Sequence, residues 1–222
     1  MAGGAGGRPT PSLGAVAVPG LPQVRQGDDL ARMILRGCAD GGLELRDGDV
    51  VVVSSKVVSK AAGLSVRAPD APARRHMRPF AGQRPQPDPV VATREAVVAT
   101  ETVRLVASRR TPRGLAQIVQ SAAGPVMAAA GVDTSNTEPG TALLLPRDPD
   151  GAARALRARL RELGAPLVAV VVSDTAGRAW RVSQTDFALG CAGLQALDDL
   201  RGTVDTSGSL LQVTERAVAD EV

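Results

Sequence analysis

Histidine occurs once in the 222 residues, at His76; cysteine occurs twice, at Cys38 and Cys191; tyrosine does not occur. A single histidine in an Arg/Pro-rich stretch leaves no base for Ser-His-Asp or Cys-His hydrolysis. Two distant cysteines in no C-x-x-C spacing make neither a disulfide framework nor a zinc site of the usual kind, and they read as two buried thiols. An aromatic content of 1% offers no stacking platform for single-stranded nucleic acid. The net charge of +3 is too small to imply a nucleic-acid partner by itself. No run approaches the roughly 18 apolar residues of a membrane-spanning helix. The opening MAGGAGGRPTPS lacks the apolar stretch of a signal peptide. Residues 1–14 therefore read as a disordered leader, and the protein as cytoplasmic with no membrane partner. Neither G-x-x-x-x-G-K-[ST] nor G-x-G-x-x-G occurs, so any nucleotide site is of another kind.

Lysine and asparagine are nearly absent too. Of 26 basic residues only Lys56 and Lys60 are lysine, and Asn136 is the one asparagine. A composition that avoids these types yet keeps them at three positions points to a chemical need there. The basic residues are unevenly spread: residues 67–113 hold ten Arg against four acids, a face that is either solvated or attractive to a phosphate.

With 44% hydrophobic residues the chain can build a core. Residues 15–18 read as a short strand. Asp28 or Asp29 caps a helix carrying Leu30, Met33, Ile34 and Gly37 on one face and ending at Gly41-Gly42. Residues 50–53 read as a buried strand, and 67–89 as a Pro/Arg-rich loop or insertion. A helix is expected over about 91–110, with Val98, Leu105 and Val106 inward. Strands at 115–119 and 125–130 about a Gly turn follow, then an apolar run at 141–145. The clearest helix opens at Asp148-Pro149 and runs to about Leu163. Ala153, Leu156, Leu160 and Leu163 form its buried stripe, with Arg154, Arg157 and Arg161 outside it. A buried strand at 166–172 ends in Ser173-Asp174-Thr175. This mixture without a strict βαβ rhythm predicts an α+β fold with mixed sheets and packed helices over residues 15–222.

Three polar clusters follow apolar runs. The first is Ser54-Ser55-Lys56-Val57-Val58-Ser59-Lys60. Read as a continuing strand, it places Lys56, Val58 and Lys60 on one face and suits phosphates, or it is a solvated edge strand with charged gatekeepers. The second, 131–136, gathers Asp133, Thr134, Ser135 and Asn136, which are hard oxygen ligands for magnesium or manganese or ordinary turn formers. The third, 173–181, sets Asp174 at a strand end before Arg178, Trp180 and Arg181. It reads as a metal carboxylate with anion-pairing arginines, or as a strand-to-loop turn with a core Trp. Jointly, two carboxylates sharing a cation beside lysines make an apparatus for activating a carboxylate by phosphoryl transfer.

The segments GLPQVRQGDDL (20–30), DGDVVVVSSKVVSKAAG (47–63), AAAGVDTSN (128–136), LLLPRDPDGAARALRARLRE (143–162), VVVSDTAGRAWRVSQTDFALGCAGL (170–194) and VTERAVADE (213–221) resemble, in order, the coenzyme F-420-0:L-glutamate ligase family. The resemblance implies a mixed α/β homodimer that uses GTP with Mg²⁺ or Mn²⁺ and K⁺. Such an enzyme joins F-420-0 to L-glutamate through an acyl phosphate and then adds γ-linked glutamates. It places Leu21, Pro22, Gln23, Val24, Ser55, Lys60 and Asn136 on the guanine nucleotide, and Asp133, Asp174 and Thr175 on the divalent metal, with Asp133 and Asp174 also catalytic. The family continues past the VADE segment into further nucleotide and metal contacts, and commonly has RNGQTD where this chain has RVSQTD. An inactive nucleotide-binding or partner subunit is the alternative expectation.

Overall fold

The structure is a computed structural model that describes residues 13–67, 89–112 and 114–222. In chain order it contains α1 (Leu30–Asp40), β1 (Val50–Ser54), α2 (Ser55–Ala61), β2 (Ser65–Arg67), α3 (Pro89–Glu101), β3 (Thr102–Thr111) and β4 (Gly114–Ser121). Then come β5 (Val126–Ala128), β6 (Thr141–Leu143), α4 (Pro149–Glu162), β7 (Ala169–Gly177), β8 (Gln184–Ala192), β9 (Asp198–Asp199) and β10 (Glu215–Arg216). The main sheet is mixed, the smaller ones are antiparallel, and the class is α+β, as the alternation of elements predicts.

Both flanking helices start where the sequence places their caps. Asp29 accepts the Arg32 N–H and opens α1; Asp148 accepts the Gly151 N–H at 2.7 Å and opens α4, with Pro149 in the first turn. Both caps leave fewer backbone donors unsatisfied. The two helices are clamped by Arg159, whose Nε and Nη2 both donate to Asp29 Oδ2, at 3.0 and 2.9 Å.

The main sheet has the order β1-β7-β8, with β1 parallel and β8 antiparallel to β7. Ala153 and Leu160 of α4, fully buried, pack with Val170 and Val172 of β7, Val51 and Val53 of β1 and Ile34 of α1 in one core. A second core joins Val97 and Val98 of α3, Val119 of β4, Ala142 of β6, Ala130 and Val132. The first core fixes β7 and α2, and the second fixes the 129–133 turn; the candidate site lies where they meet.

Five expectations are corrected. Residues 15–18 form no strand; Val18 instead packs across Gly37 of α1. Only half of β1 is buried, because Val52 faces outward. The run after Ser54 is a helix rather than a strand: Ser55, Val58 and Ser59, at i, i+3 and i+4, turn inward, and Ser59 Oγ donates to the Leu144 carbonyl at 2.6 Å. Lys56 and Lys60 still share a side, now through i,i+4 spacing. The expected helix to residue 110 stops at Glu101. From Thr102 the β-branched chain pairs with β4 as a long hairpin, leaving Leu105 and Val106 exposed. Arg157 is half-buried, its Nε donating to the Val168 carbonyl at 2.7 Å. The leader over 1–12 and the Pro/Arg-rich segment over 68–88 lie outside the described residues.

Candidate active site

The first turn of α2 stands between the two aspartates on which the sequence argument rests. Ser55 Oγ donates to Asp174 Oδ1 at 3.1 Å. Lys56 Nζ lies 2.6 Å from Asp133 Oδ2, and also donates to Ser135 Oγ at 2.6 Å and the Ser135 carbonyl at 3.3 Å. Because β1 runs directly into α2, Ser55 and Lys56 are aimed by a strand whose partner, β7, carries Asp174.

Asp133 is delivered by an unusual turn. Ala129, Ala130 and Gly131 have φ of 53°, 54° and 72°, a left-handed run that costs non-glycine residues free energy and concentrates at functional sites. Gly131 is required: a Cβ there would fall 2.4 Å from Leu145 Cδ1. Asp133 then exchanges backbone hydrogen bonds with Leu143, and its carboxylate accepts the Ser135 N–H at 2.8 Å. Asn136 follows in a left-handed conformation, which Asn tolerates better than most residues.

The two carboxyl groups are driven apart electrostatically. Burial opposes ionisation of Asp133, but the hydrogen bonds from Lys56 and Ser135 outweigh it and hold the group below its ordinary value. Asp174 is pushed up, first by burial and then by the charges of Asp133 and Asp186; the Thr175 N–H and Ser55 only partly offset this. Asp133 is thus held in its charged form, whereas the charged form of Asp174 is disfavoured unless a cation joins it.

Thr175 is placed differently from its two partners. Its hydroxyl donates to Asp186 Oδ1 across the β7–β8 ladder. Lys60 lies one turn beyond Lys56, half-buried and with no ion-pair partner among the described residues. Leu21, Pro22, Gln23 and Val24 form the extended segment that passes over α1, where Leu21 packs at Gly37. That segment leads to Gly27, whose N–H donates to the Ala61 carbonyl at the end of α2. The candidate nucleotide residues thus divide between the two ends of α2. Lys56 and Asp186 were not among the site residues expected from the resemblance. The scarcity of lysine marks Lys56; nothing in the sequence distinguishes Asp186 from any other strand acid.

Among the described residues no three His, Cys, Asp or Glu side chains form a ready metal cage. Asp133 and Asp174 nonetheless suit magnesium or manganese, which are commonly held by one or two carboxylates together with water and substrate phosphates.

The chain is similar to known proteins along most of its length. The sequence model described as F420-0:Gamma-glutamyl ligase matches residues 20–222. A coenzyme F420:L-glutamate ligase of Methanothermobacter thermautotrophicus is 35% identical over 211 residues, covering 95% of this chain and 80% of that protein. Proteins of the same name from Halorubrum lacusprofundi and Archaeoglobus fulgidus are 38% and 37% identical, over 93% and 92% of this chain and 77% of each relative. The chain belongs to the F420-0:gamma-glutamyl ligase family.

Proposed function

We propose that this chain is a GTP-dependent ligase that forms an amide between the terminal carboxylate of coenzyme F-420-0 and the amine of L-glutamate, and then extends the product by γ-linkages. The observation that carries this reading is the convergence of Asp133 and Asp174 on adjacent residues of α2 in a chain of this family.

In the proposed reaction a carboxylate oxygen of the acceptor attacks the γ-phosphorus of GTP. The bond to the bridging oxygen breaks and GDP leaves. The glutamate nitrogen then attacks the acyl carbon, phosphate departs, and the amine gives up a proton. Asp133, Asp174 and Thr175 would hold the divalent cation, which when bound supplies charge neutralisation on the phosphate oxygens. Ser55 keeps the Asp174 carboxylate oriented. Lys56 and Lys60 present two ammonium groups along one side of α2, where phosphates can take up their charge. Leu21, Pro22, Gln23, Val24 and Asn136 are the proposed nucleotide contacts around them. The apolar side chains exposed along the β3–β4 hairpin, Val103, Leu105, Leu115 and Ile118, support assembly as a homodimer.

The test is GDP release with F-420-0, GTP and manganese, with and without glutamate. The reading predicts glutamate-dependent release that Asp133→Ala and Asp174→Ala both abolish. Normal turnover with either aspartate removed contradicts the site, and GTP turnover indifferent to glutamate contradicts the reaction.

A further inference from the structure

The chain has three aromatic side chains, one Trp and two Phe, and two of them lie on the β7–β8 hairpin. Phe187 pairs in register with Asp174, and Trp180 sits on the tip between the strands. Trp180 is 101% exposed, so the sequence reading of a core Trp does not hold. An indole left in water forgoes the largest apolar burial any side chain can make.

Three further features set this tip apart from an ordinary turn. Trp180 and Ser183 both have left-handed backbones, with φ of 57° and 73°, a conformation that bulky residues avoid unless the surroundings impose it. Arg178 and Arg181 flank the indole, exposed and without an acidic partner among the described residues. The ladder ends at Gly177 and Gln184, two residue pairs beyond Thr175 and Asp186. At the usual strand rise, that is roughly 7 Å from the carboxylate cluster.

An exposed indole between two free guanidinium groups matches a planar heteroaromatic ring that carries anionic groups. Two substrates of the proposed reaction have that chemistry, the deazaflavin acceptor and the guanine nucleotide. Ser55 and Lys60, two of the candidate nucleotide residues, lie on α2, which continues from β1 on one side of β7, while the hairpin tip joins β7 to β8, the strand on its other side. We propose that Trp180 is the stacking platform for the ring of the deazaflavin acceptor, with Arg178 and Arg181 pairing with its anionic groups, so that the acceptor's carboxylate is held over Asp174. This inference rests on the ligase reading and adds a binding residue to it.

The experiment is calorimetric titration of F-420-0, and separately of GTP with manganese, into the full chain and its Trp180→Ala, Trp180→Leu and Trp180→Phe variants. The expected result is a Kd for F-420-0 raised about tenfold in the Ala and Leu variants and largely restored by Phe, with the Kd for GTP unchanged. Unchanged F-420-0 affinity in Trp180→Ala overturns the platform while leaving the ligase reading intact. Loss of GTP affinity in place of F-420-0 affinity assigns the indole to the nucleotide and also overturns it. A wild-type chain that binds no F-420-0 contradicts both. Because the chain has one Trp, its emission gives a second readout. Acrylamide should quench it freely in the apo chain at every protein concentration; protection that grows with concentration would mean that a second copy covers the indole, and overturns the platform.

Discussion

Lys56 Nζ and Asp133 Oδ2 are 2.6 Å apart, joining a helix built on the main sheet to a turn built on the second core. The contact is charge-assisted, but the Asp133 side chain is more than a third exposed, so solvent screens it. Asp133→Asn should therefore cost only about 1 kcal/mol in urea unfolding at neutral pH. Because the folded-state pKa of Asp133 is depressed, its stabilisation is present above the ordinary value of 3.8 and is lost as pH falls through the lower folded value. The difference between wild type and variant should be full at neutral pH and should close on acidification below 3.8.

Asp174 should behave oppositely. Its folded-state pKa is raised by burial and by Asp133 and Asp186. Its contribution is therefore present below 3.8 and is lost as pH rises through the folded value. Ionising the Asp174 carboxyl therefore costs the fold free energy unless a cation is bound. Asp174→Asn should raise the melting temperature, by roughly 2–4 °C per kcal/mol relieved, while ending turnover. A melting temperature that falls would show that the negative charge is satisfied without a cation.

The approach of α4 to β8 depends on Gly190, where a Cβ would lie 2.5 Å from the Asp150 nitrogen and the Pro149 carbonyl carbon. These are backbone atoms and cannot rotate aside. The same contact lets Asp150 Oδ1 accept the Cys191 N–H at 2.8 Å. Gly190→Ala should destabilise by about 2 kcal/mol or more. Gly177→Ala, with nothing within 4 Å, should change stability by less than about 0.5 kcal/mol. Chemical denaturation of the two variants side by side checks the contrast.

Helix α4 was legible because cap, Pro and apolar stripe all agree: Asp148, Pro149, and Ala153, Leu156 and Leu160 point to one answer. Helix α2 was not, because Val57-Val58 continues the β-branched run of β1, and seven residues are too few for a helical period to stand out. The start of β3 was hidden in the same way. Its Thr102 follows α3 without a Gly or Pro break, and strand pairing with β4, a non-local contact, decides the conformation. At the site, the sequence order indicates that Asp133 and Asp174 follow apolar runs. That Ser55 and Lys56 each bind one of them is a property of the packing between the two cores.

If the two aspartates hold a divalent cation on nucleotide phosphates, manganese affinity in the presence of GTP should fall at least about tenfold in Asp133→Ala and in Asp174→Ala. Lys60→Met, which removes an ammonium group with no ion-pair partner among the described residues, should weaken GTP binding with no measurable loss of stability. Paramagnetic titration of manganese and calorimetry with GTP separate the two effects.

The most direct measurement is mass spectrometry of F-420-0 after incubation with the purified chain, GTP, manganese and L-glutamate. The account predicts a product heavier by one glutamyl residue, followed by longer species, all missing when Asp174→Ala replaces the wild type. F-420-0 recovered unchanged, or the same products from Asp174→Ala, would contradict it.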